Sequence, residues 1–135
     1  MKKNLKYKKA FSIIELIFAI MIIGIIASVA IPKLLNLNSA ATISSIKQDT
    51  NSIISSIQGY YIINKKIDKI TDSINLNTNT WEIKDKEVQY LENQKSCITI
   101  SISSNILSIK INPEVGNICK KLENQGIVSS KFTLN

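Results

Sequence analysis

Three residues in this chain have types and settings that could do chemistry. Glu15 is the single charge in an apolar run at residues 11–31, FSIIELIFAIMIIGIIASVAI. Cys97 and Cys119 are the only two cysteines. A carboxylate carried unpaired to the centre of a bilayer costs a few kcal/mol, so Glu15 asks for a cationic partner. The cysteines can be a nucleophile, two buried thiols, or a disulfide. The chain contains no His, which removes the usual activator of a thiol nucleophile. No enzyme constellation is present, and an enzyme is not expected.

The element that positions Glu15 is a helix. Twenty-one residues at about 1.5 Å each span about 31 Å, matching a hydrocarbon core of roughly 30 Å. A soluble core helix is rarely apolar on every side. Lys2, Lys3, Lys6, Lys8 and Lys9 precede the run with no acid among them. By the positive-inside rule they predict a cytoplasmic N-terminus, with the rest of the chain across the membrane. They also account for most of the formal charge of +7: from Phe11 onward 12 Lys face 10 Asp plus Glu, a net of +2. A nucleic-acid-binding domain concentrates its charge on one face, and beyond the leader no such block exists.

Three readings of the segment compete. A secretory signal peptide would use Ser28-Val29-Ala30 as its cleavage site. The run is longer than the usual core of about 7–15 residues, and it carries a carboxylate. A plain single-span anchor would leave Glu15 incidental. The third reading gives Glu15 a function and a partner.

Lys8-Lys9-Ala10-Phe11-Ser12-Ile13-Ile14-Glu15-Leu16, the apolar run with Gly24, and then Pro32 resemble the N-terminal signature of type IV pilins and of the pseudopilins of type II secretion. The likeness covers about the first 35 of 135 residues. Ala10 stands where the family usually has Gly, and Ser12 where Thr is commoner. The resemblance implies cleavage between Ala10 and Phe11 by a membrane prepilin peptidase, with N-methylation of the new Phe11 amine. Phe11 and Glu15 are then the assembly residues, the carboxylate pairing with the amine of a neighbouring subunit. A buried carboxylate needs such a partner. Gly24 and Pro32 are poor helix residues. Transmembrane helices tolerate both, whereas the resemblance implies a point of flexibility between them when subunits pack.

Beyond the span, Ile43, Ile46, Thr50, Ile53, Ile57 and Tyr60 recur at 3-4-3-4-3 spacing, one mostly apolar stripe on a helix reaching about Lys66. Tyr60 and Tyr61 read as core and rim. Lys65 to Thr80 is a polar connection with Asp68, Asp72, Asn75, Asn77 and Asn79. Its oxygens make calcium conceivable, as in some pseudopilins, but the Gly and terminal Glu of an EF-hand are missing; no cofactor is expected. Trp81 to Leu91 reads as a strand with a charged turn at Lys84 to Glu87. Ile98, Ile100 and Ile102, then Leu107, Ile109 and Ile111, alternate with polar residues around Ser104-Asn105, which is an antiparallel hairpin. Asn112-Pro113-Glu114 reads as a helix start, with Val115, Ile118, Cys119 and Leu122 on one face and Gly126 as the stop. Ile127 to Leu134 returns as a last strand.

With this orientation both cysteines lie outside the cytoplasm, where oxidation is favoured, and many pilins carry a similar C-terminal disulfide loop. A Cys97–Cys119 bond would close a loop of about 22 residues and contribute roughly 3 kcal/mol in the chain-entropy model. The alternative is two buried thiols.

The expected fold is α+β and pilin-like: a long N-terminal helix on a small antiparallel sheet. Residues 1–10 form the leader, 11–32 the transmembrane half of the helix, and 33–135 a periplasmic domain that includes its amphipathic half. The expected function is that of a precursor subunit of a filament rooted in the inner membrane, foremost a type II secretion pseudopilin. The alternatives are a pilin or pseudopilin of a competence or type IV pilus system, with DNA as a further partner, and a plain anchored periplasmic domain. The implied partners are the prepilin peptidase, other subunits including copies of this chain, and an assembly platform protein of the inner membrane.

Overall fold

The computed structural model describes residues 11–135; the basic leader and Ala10 lie outside the described residues. The chain divides into two compact units, residues 1–38 and 39–135, and helix α1 (Ile13–Asn64) contributes to both.

In the first unit α1 is helical from Ile13 through Gly24 and Pro32. The helix has a long apolar window, none of it buried within the protein. Phe18, Ile22, Ile25, Val29 and Leu34 are all more than half exposed. A surface of this kind needs lipid or other apolar helices around it.

The second unit is a five-stranded antiparallel sheet with part of α1 in its core. Its strands are β1 (Trp81–Lys84), β2 (Glu87–Glu92), β3 (Lys95–Ser103), β4 (Ile106–Ile111) and β5 (Ser130–Thr133), paired in sequence order. Ile43, Ile46, Ile53 and Ile57 of α1 share one buried cluster with Trp81, Val88, Ile98, Ile100 and Leu107 of the sheet. Thr50 lies in the same stripe, and its hydroxyl donates to the Ile46 carbonyl at 2.8 Å, so the one buried polar side chain among the described residues is satisfied. Trp81 donates from Nε1 to Asp49 Oδ2 at 3.1 Å and packs its ring at a tilt against Tyr90, 6.0 Å away. The result is α+β, a long N-terminal helix followed by a small antiparallel sheet, as the sequence predicts.

The differences from the sequence reading are local: the strand expected over Trp81 to Leu91 is two strands, β1 and β2, on either side of the charged turn, and β3 starts at Lys95. The stripe ends on Tyr61, which is buried, while Tyr60 sits at the rim; the last step is four residues instead of three. The segment after Asn112 is two helices instead of one. Asn112 caps a 3-10 turn, Pro113–Val115, by accepting from the Glu114 N–H. The backbone is then fully extended at Gly116, and α2 (Asn117–Asn124) starts afresh. Gly126, at φ +98, ends it in the left-handed region that favours glycine. The hairpin turns Asn93-Gln94 and Ser104-Asn105 have positive φ at both central residues, which suits the twist of two-residue loops.

Candidate processing and assembly segment

The first turn of α1 is closed by its own side chain. Ser12 is the cap: its carbonyl accepts from the Leu16 N–H at 3.1 Å. Glu15, three residues on, returns Oε2 to the Ser12 N–H at 3.0 Å. This is the glutamate half of a capping box, and it satisfies one of the N–H groups that a helix start leaves without an intrahelical partner. A carboxylate in the first turn also complements the positive end of the helix dipole. Phe11, immediately before the cap, is 83 % exposed. Phe11 and Glu15, two of the residues singled out from the sequence, thus lie on either side of the Ser12 cap. The sequence reading took Glu15 only as a partner for a neighbour and missed its bond to Ser12, although Ser-x-x-Glu before an apolar run is a legible capping signature.

Gly24 and Pro32 both lie inside helix. Pro32 has no N–H to offer the Ser28 carbonyl, and Ser28 turns its hydroxyl to the Ile25 carbonyl at 2.7 Å. Among the described residues, apart from the adjoining residues and the surrounding helix backbone, no atom lies within 4 Å of where a Cβ on Gly24 would sit, so tertiary packing there does not require glycine.

Residues 5–31 match the family model of the prokaryotic N-terminal methylation motif. The chain carries the signature of type IV pilins and pseudopilins. The match begins at Leu5 within the leader, covers the Ala10–Phe11 junction, Glu15 and Gly24, and stops one residue short of Pro32. The motif points to a structural subunit, and it implies processing by a prepilin peptidase and assembly with other pilin subunits. An apolar N-terminal helix in such a protein fits a membrane anchor. No curated protein and no solved structure matches the chain.

In the second unit Cys97, on β3, and Cys119, on α2, are joined by a disulfide, with Cα atoms 5.7 Å apart. Both are fully buried. Beside them Glu92, the last residue of β2, aims its carboxylate at the start of α2: Oε1 accepts from the Ile118 N–H at 3.1 Å and Oε2 from the Cys119 N–H at 2.9 Å. One Glu92 oxygen and the two sulfurs lie within 4.8 Å of one another, a donor set whose sulfurs are consumed by the disulfide. The Glu92 charge also reaches Tyr90, whose hydroxyl is pushed above its usual value of 10.0, first by burial and then by that charge. In the connection after α1, Asp72 accepts from the Lys69 N–H, Asn77 accepts from the Asn79 N–H, and Asp68 pairs with Lys66. A polar groove along α1, lined by Ser44, Lys47, Gln48, Asn51 and Ser55 together with Gln125, holds no paired nucleophile and base.

Proposed function

We propose that the chain is the precursor of a pseudopilin, a subunit of a short filament that grows from the inner membrane and pushes folded proteins outward in type II secretion. The observation that carries the pilin-like part is the methylation motif over residues 5–31, which runs into an apolar helix with Glu15 in its first turn and Phe11 just before its Ser12 cap. The leader stays in the cytoplasm and is cut after Ala10, and the C-terminal unit lies in the periplasm. The Phe11 amine, methylated, then offers the cation that Glu15 lacks in hydrocarbon. Pairing between neighbours fixes axial register, and the exposed apolar faces of α1 close on one another instead of on lipid. Gly24 permits close helix approach, and the missing hydrogen bond at Pro32 gives the packed helix a place to bend.

The secretion role is favoured over DNA uptake by charge. Once residues 1–10 are gone, the mature chain carries a net of +2, too little for a dedicated DNA-binding face. A deletion strain tests the choice. Loss of an extracellular folded protein, with transformation intact, supports the secretion role. Loss of transformation with secretion intact overturns it in favour of competence.

A further inference from the structure

The C-terminal disulfide has a second, non-covalent fastening. Glu92 and Asn93, at the β2–β3 turn, grip the segment that carries Cys119. The Glu92 carboxylate takes the Ile118 and Cys119 N–H groups, and the Asn93 amide donates to the Val115 carbonyl at 3.2 Å. On the other side the Asn112 N–H donates to the Cys97 carbonyl at 2.8 Å. Gly116 fits this grip by lacking a side chain: a Cβ there would lie 2.3 Å from Glu92 Cδ. Hydrogen bonds to an ionised acceptor are the strong ones; one of these two comes from the backbone N–H of the cysteine itself and the other from the residue before it. None of these hydrogen bonds uses a sulfur atom.

We infer that Glu92 is the positioning residue for the disulfide: it docks the start of α2 on the end of β2, so that Cys119 lies against Cys97 before the sulfurs join. The bond therefore closes on a folded domain, and the domain keeps its fold when the bond is opened. The oxidant is a small disulfide such as oxidised glutathione. One cysteine thiolate attacks it, forming a mixed disulfide and releasing one glutathione thiolate. The second cysteine thiolate displaces the other. The two electrons from the cysteines reduce the glutathione disulfide, and the two cysteine protons end on the two glutathione thiols. This inference stands on the second unit alone and does not depend on the filament role.

The test equilibrates the full-length chain in detergent with glutathione redox buffers. Thiol alkylation and mass analysis then give the fraction oxidised. Glu92→Ala is expected to lower the effective concentration of the two thiols by about tenfold or more, as loss of charge-assisted hydrogen bonds implies. Glu92→Gln, which keeps one acceptor oxygen, is expected to fall between. Ile53→Val, which removes a methyl from the same core, is expected to leave the equilibrium within about twofold, since it leaves every hydrogen bond of Glu92 in place. The reduced wild-type chain is expected to keep the near-ultraviolet circular dichroism of Trp81. Equal equilibria for wild type and Glu92→Gln, an equal fall in Ile53→Val, or loss of the Trp81 signal on reduction would each overturn the inference. If Glu92→Ala does not fold, Glu92→Gln decides.

Discussion

Glu15 Oε2 accepts the Ser12 backbone N–H at 3.0 Å, so within a single chain the carboxylate caps its own helix. Capping and pairing with a neighbour are different tasks, and they separate by charge. Glu15→Gln keeps an acceptor for Ser12 and loses the negative charge; Glu15→Ala loses both. Both variants are expected to be processed, and both are expected to fail to enter filaments, read as loss of the subunit from a sheared-filament fraction. Filaments at wild-type level from Glu15→Gln would assign the residue to capping alone. The cap by itself is worth about 1 kcal/mol, too little to decide assembly.

The glycines divide by what surrounds them. At Gly116 an added Cβ meets the Glu92 carboxylate, so Gly116→Ala must dislodge the acceptor of two N–H groups. We expect a loss of about 2 kcal/mol or more in urea unfolding, the cost of leaving buried donors unsatisfied. At Gly59, inside α1, nothing lies within 4 Å. Gly59→Ala is expected to stabilise by roughly 0.5–1 kcal/mol. A neutral Gly116→Ala would contradict the packing described at Glu92.

Core packing gives a third expectation. Ile57 is fully buried in the α1 stripe, and Ile57→Ala is expected to cost about 2–5 kcal/mol. Ile63, one turn and a half further on, is 81 % exposed, and Ile63→Ala is expected to stay within about 0.5 kcal/mol. Chemical denaturation of the two variants side by side checks the direction of the stripe.

Alkaline stability follows from Tyr90. Its folded-state value is raised above 10.0 by burial and by the Glu92 charge. Above pH 10 the unfolded chain gives up this proton before the folded one does, so the folded state binds more protons and stability falls as pH rises. The contribution is fully present below pH 10.0 and is lost as pH climbs through the raised folded value. The stability difference between wild type and Tyr90→Phe is expected to be flat below pH 10 and to move in favour of Tyr90→Phe above it. A difference that stays constant through alkali would contradict the burial of that hydroxyl.

How much of this was legible in the sequence depends on the range of the interaction. The β3–β4 hairpin could be read from Ile98, Ile100 and Ile102 because side-chain alternation is a property of neighbours. The α1 stripe could be read for the same reason, down to the slip at its end, where the closeness of Tyr60 and Tyr61 leaves the final partner to tertiary packing. The early start of β3 at Lys95 was not legible, since Lys95, Ser96 and Cys97 carry no alternation: Lys95 and Ser96 are held by pairing with Glu92 and Leu91, and Cys97 falls at the register shift. The break at Gly116 was missed because its cause, Glu92, lies on another element. Local cap signals at Asn112 and Pro113 are real, but they close only a 3-10 turn.

The most direct test of the account is the intact mass of the protein recovered from the membrane fraction of cells that carry a prepilin peptidase. The account expects a chain beginning at Phe11, lacking residues 1–10 and heavier by one methyl group, with Cys97 and Cys119 oxidised. A chain cut after Ala30, or a full-length chain still beginning at Met1, would contradict it.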